Sequence, residues 1–121
     1  MNFLTISHEQ MQQLQAHQEA SFLDRLVDFL HEQFPETADE PQETFRQALT
    51  ELIERSESWG LAAEDEIARY CVTAWLLGVD FDQEFPVAAD ILGDRVTKPQ
   101  QRSVQLLDWA TELFRVLEAA E

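Results

Sequence analysis

A chain of 121 residues with 24 acids against 8 bases carries a formal charge of −16, which argues against direct contact with nucleic acid or an anionic membrane. Hydrophobic residues at 45% and eight phenylalanines argue against a disordered chain, and the length suits one domain with a real core. The lone cysteine, Cys71, excludes an internal disulfide and a thiolate metal cluster.

The opening MNFLTISHEQ has no basic start, long apolar run or small-residue cleavage site, and no apolar run approaches membrane-spanning length. A cytoplasmic location is expected. Ser7 and Gln10 have the spacing of a capping box, and Ile6 can staple to Met11. They predict a first helix running to about Phe34, stopped by Pro35. Its second half carries a core face of Phe22, Leu23, Leu26, Val27, Leu30 and Phe34. Its first half is rich in glutamine, with Met11 and Leu14 as the apolar anchors. It reads either as a surface helix end or as an arm that docks on a partner.

Residues 35–41 are an acidic connection ending in Pro41, which suits a first helical turn. A second helix is expected from about Pro41 to Trp59. Phe45, Ala48, Leu49, Leu52, Ile53 and Trp59 form its apolar stripe. Glu43, Gln47, Thr50, Glu54 and Glu57 form the opposite face. Gly60 ends it.

A third helix, near residues 62–78, opens on Glu64, Asp65 and Glu66, which suit the positive end of the helix dipole. It closes on Gly78, expected in the left-handed conformation. Apolar residues surround it almost completely, which marks a central helix covered by others. Glu66, Arg69 and Thr73 make a narrow polar strip. Arg69 has two readings: a local ion pair with Asp65 or Glu66, or an arginine anchored by acids to address a partner or another helix.

Asp80 or Asp82 is placed to cap a short fourth helix, with Pro86 in its first turn and Gly93 at its end. Phe81 and Phe85 are expected to plug the core. Thr97 and Gln100 form a second capping-box pair. The last helix should run to about Ala119, with Leu106, Trp109, Ala110, Leu113, Phe114 and Leu117 as its core stripe. The expected fold is all-α: a single-domain bundle of about four long helices and one short one, over residues 1–121.

None of the reactive residue types forms a specific site. Asp80, Asp82 and Glu84 alternate like the start of a calcium loop, but Phe85 stands where the loop needs glycine and Ile91 where it needs a bidentate acid. His8, His17 and His31 lack the i and i+4 spacing of a helical zinc pair and read as surface residues. Cys71 lies in an apolar helix behind three acids, which oppose a thiolate. There is no nucleophile elbow and no phosphate loop. The expectation is no enzyme, no metal and no cofactor.

The run GLAAEDEIARYCVTAWLLGVDFD, from Gly60 to Asp82, is followed by Phe85-Pro86 and Ile91-Leu92. Together these resemble a family of small helical proteins encoded in bacterial type VI secretion clusters, beside spike proteins and toxic effectors. The matching positions are Gly60, Leu61, Glu66, Ile67, Ala68, Arg69, Tyr70, Leu77, Gly78, Phe81, Asp82, Phe85, Pro86, Ile91 and Leu92. The opening TISHEQM, Phe22, Arg25-Leu26 and Phe34-Pro35-Glu36 also fit. Where the family pattern often has tryptophan after Phe-Pro, Val87 stands here.

The resemblance implies a co-adaptor or co-chaperone that helps an adaptor load an effector onto the secretion spike. The expected partner is therefore a secretion adaptor, an effector, or both, with no nucleic acid and no membrane. The oligomeric state stays open. Glu43, Glu54, Glu57 and Arg69 are the candidate contact residues. Most motif positions also have structural explanations, as helix ends or core. An immunity protein that blocks a neighbouring toxin is the alternative, and an acidic nucleic-acid mimic ranks below it.

Overall fold

The computed structural model describes His8 and residues 21–120. The Ser7–Gln10 cap, the Ile6–Met11 staple, the glutamine-rich half-helix and His17 lie outside them. Every regular element among the described residues is helical.

Helix α1 spans Phe22–Gln33, and Ser21 caps it: its hydroxyl accepts the Asp24 amide at 3.2 Å. Ser21 itself has extended backbone (φ −63, ψ 158). The expected unbroken helix up to Phe34 is therefore corrected, because a serine that satisfies the free N–H of a first turn starts a helix. Pro35 follows the end of α1 and opens a 3-10 turn over Pro35–Asp39. Within that turn Thr37 is buried and shares a 2.6 Å hydrogen bond with His31. His31 in turn stacks on Phe45, with ring centroids 5.0 Å apart.

Helix α2 spans Gln42–Ser58 and buries Phe45, Leu49, Leu52 and Ser56. Gly60 then turns the chain with φ +94, a conformation that costs residues with a Cβ on the order of 1–2 kcal/mol. Helix α3, Glu64–Leu77, is the centre: every residue from Asp65 to Ala74 is buried. It packs against α2 and, most extensively, against the last helix, α6, Pro99–Ala119. Trp75 fills the space beside Phe45 and Phe34, with centroids at 5.7 and 6.4 Å. Gly78 closes α3 with φ +110 and ψ 152. That is the extended mirror region rather than the expected left-handed helical one, and it equally favours glycine.

The expected short fourth helix is two helices, α4 over Phe81–Glu84 and α5 over Pro86–Leu92. The break follows from Pro86, which has no N–H to donate and pushes the preceding Phe85 into extended backbone (φ −115, ψ 108). Phe81 is fully buried against Tyr70, and Phe85 packs edge-on against Trp109.

The Thr97–Gln100 capping box is not formed. Lys98 occupies the cap position of α6. Thr97 instead donates to Asp94 at 2.6 Å, while the Gln100 amide reaches α3 and donates to Asp65 at 2.8 Å. Of the expected α6 stripe, Leu106 and Ala110 are buried, and Leu117 is 49% exposed.

Candidate protein-binding surface

Glu43, Glu54 and Glu57 stand exposed on α2, with Gln47, Thr50 and Glu51 also open to solvent. The helical period that buries Phe45, Leu49 and Leu52 places these residues on the outer side. The arginines of the same helix are turned toward the protein. Arg46 pairs with Asp24 on α1 at 2.6 Å. Arg55 donates to the Val79 carbonyl at 2.8 Å and pairs with Asp80 and Asp82. The α2 face is thus acidic because its bases are used for internal pairs. Elsewhere Arg25 holds both carboxylate oxygens of Glu64, at 3.0 and 2.9 Å.

Arg69, the fourth candidate contact residue, has no exposed surface. Its candidacy for an outside partner is corrected: the guanidinium addresses α6 and its own helix. Arg69 Nη1 donates to Asp65 and to Ser103, each at 3.1 Å. Its Nε–H donates to Nδ1 of His8 at 2.9 Å. His8 is therefore not simply a surface histidine, since Nε2 lies 2.9 Å from Asp108 on α6. Nη2 of Arg69 is buried without a hydrogen bond.

Most of the motif residues lie in the interior, while Gly60, Gly78 and Pro86 are exposed at turns and a helix start. Leu61, Ile67, Ala68 and Phe81 belong to the core. Glu66 is 8% exposed and accepts the backbone N–H groups of Ala62 and Ala63 at 2.9 and 3.0 Å, satisfying free donors at the start of α3. Asp82 receives Trp59 Nε1 and Tyr70 Oη, both at 2.9 Å, together with Arg55. Gly60 and Gly78 make positive-φ turns. Phe85 and Pro86 set the α4–α5 break.

The sequence singled out Asp65 as a partner for Arg69 and Asp82 as a motif position, but it left one buried polar centre, Arg102, unmarked. Arg102 is 4% exposed and donates to the carbonyls of Trp59 and Leu92, near the C-terminal ends of α2 and α5, and to Thr97. The signal was present only as a charged residue on a helix flank.

Burial disfavours the ionised forms of Cys71 and Tyr70. Burial pushes the Cys71 thiol up to about 12. Burial first, and then the hydrogen bond to Asp82, hold the Tyr70 phenol well above its ordinary range. Both ring nitrogens of His8 are engaged. Among the described residues no group of three or more His, Cys, Asp or Glu side chains converges to hold a metal, and no helix is long and apolar enough to cross a membrane. An open cleft of about 340 Å³ lies between His8 and the α6 residues Leu107, Asp108, Thr111, Glu112 and Arg115. No protein-family model, curated protein or solved structure matches this chain.

Proposed function

We propose that the chain is a non-enzymatic protein-binding factor of the cytoplasm, a co-adaptor or chaperone that helps load a type VI secretion effector. The observation that carries the binding role is the acidic outer face of α2, where Glu43, Glu54 and Glu57 are exposed while Arg46 and Arg55 are tied inward. Such a face steers toward, and covers, a basic protein surface. The secretion setting is supported by the resemblance of the Gly60–Leu92 motif. The work of this protein is contact, with no cofactor, nucleic acid or membrane involved.

The same acidic face favours a second reading, an immunity protein that occludes a basic toxin cleft. Co-expression with the neighbouring effector separates the two. A co-adaptor raises effector stability or export and leaves the purified effector active. An immunity protein rescues the cells and inhibits the purified toxin. A nucleic-acid mimic ranks last, since the exposed acids lie on separate helix faces; it would displace DNA from a purified partner.

A further inference from the structure

The core-facing stripe of α6 continues past the point where the core stops covering it. Leu106 and Ala110 are buried, Leu113 is half-buried, and Leu117 is 49% exposed on the same side. Val116, seven residues after the half-buried Trp109, is 56% exposed beside it. Every residue from Arg115 to Ala120 is open to solvent. A single exposed valine is ordinary, but a continuous apolar stripe running out of a core is a docking feature.

Charge decides what covers it. Exposed Glu112 and Glu118 flank the stripe on its two sides, and Arg115 is the base between them in sequence. Two copies, each at −16, repel when brought together, whereas a basic segment is drawn in. From Glu112 to Ala119 the surface is about two turns long, the footprint of a helix laid across it with apolar residues at i, i+4 and i+7.

We infer that the C-terminal turns of α6, with Leu113, Val116 and Leu117 between Glu112 and Glu118, are a docking surface for a basic amphipathic helix of another protein. This rests on the proposed binding role and deepens it by adding a second contact face, separate from the acids of α2.

The test uses two labelled synthetic Leu/Lys peptides of equal composition and about five helical turns, one patterned as an amphipathic helix and one scrambled. Fluorescence anisotropy reads their binding to the full chain. The patterned peptide is expected to bind at least about tenfold more tightly than the scrambled one. The Val116→Ser/Leu117→Ser variant should lose that preference at unchanged melting temperature, because both side chains are already exposed. The Glu43→Lys/Glu54→Lys/Glu57→Lys variant should keep it. Equal binding of the two peptides, or an unchanged preference in the serine variant, overturns the inference. So does loss of preference in the α2 variant alone, which moves the contact to α2 and leaves the proposed function standing. Sedimentation that finds a dimer abolished by the serine substitutions assigns the surface to a second copy and also overturns it.

Discussion

Trp59 and Tyr70 donate to the same oxygen of Asp82, each at 2.9 Å. One comes from the end of α2 and the other from the middle of α3, so a single carboxylate on α4 fixes three elements. Arg55 supplies the opposite charge on the second oxygen. Asp82 is 7% exposed, and a carboxylate buried to that degree is tolerable only with such partners.

Replacing Asp82 by alanine is therefore expected to cost about 3–5 kcal/mol, the range for breaking a buried charge pair and stranding its partners. Asp82→Asn should cost less, because the amide oxygen can still accept one bond. Urea unfolding followed by tryptophan fluorescence measures both, with the m-value unchanged if the fold is intact.

Arg69 and Asp65 form a second buried pair, at 0% and 4% exposure. Arg69→Met removes the charge that Asp65 pairs with in the interior, with an expected loss of about 3–5 kcal/mol. Adding Asp65→Leu should recover much of it, because two apolar residues strand no charge. A double-mutant cycle should show a coupling above about 1 kcal/mol; strict additivity would contradict the pairing.

A Cβ on Gly60 would sit 3.3 Å from Arg102 Nη2, and the residue has φ +94. Gly60→Ala should destabilise by about 1–2 kcal/mol from the backbone conformation. Arg102→Ala should cost more than that, since it uncaps carbonyls near the ends of both α2 and α5. Thermal melts of the two variants rank them.

The Cys71 thiol, raised by burial from 9.0 to about 12, should resist thiol reagents at neutral pH until the chain unfolds. The sign of its linkage is fixed. The unfolded thiol ionises first as pH rises, so the native state loses stability above pH 9 and through about 12. The raised Tyr70 phenol acts in the same direction. Stability should therefore fall on the alkaline side, and a Cys71→Ala variant should fall less steeply there.

The helices were legible because their signals are local. Phe45, Leu49 and Leu52 repeat at the helical period, Pro35 and Gly60 interrupt it, and the all-apolar run around Cys71 identifies the central element. The polar interior was less legible. Glu66, Arg69 and Thr73 read as a narrow polar strip, with no sign of how deeply all three are buried. Arg69 finds Ser103 on α6, a partner that only tertiary packing brings near. Gln100 had the spacing of a cap, yet its amide found the buried Asp65 instead. A carboxylate in an apolar site outcompetes a cap position that water can serve. For the candidate surface, spacing correctly placed Glu43, Glu54 and Glu57 outside, whereas the burial of Arg69 depends on α6.

Reversing Glu43, Glu54 and Glu57 to lysine should leave the melting temperature within a few degrees, as these side chains are exposed. It should weaken the partner complex and remove its salt dependence. Titrations at low and physiological salt check this, and an unchanged affinity would refute that choice of face.

The most direct measurement is affinity purification of the tagged chain from the cells that encode it, with mass spectrometry of the proteins recovered. A co-adaptor should bring down a secretion adaptor together with its effector, and lose the effector when the adaptor gene is deleted. Recovery of a toxin alone, inhibited in the purified complex, would contradict the co-adaptor role and establish immunity in its place.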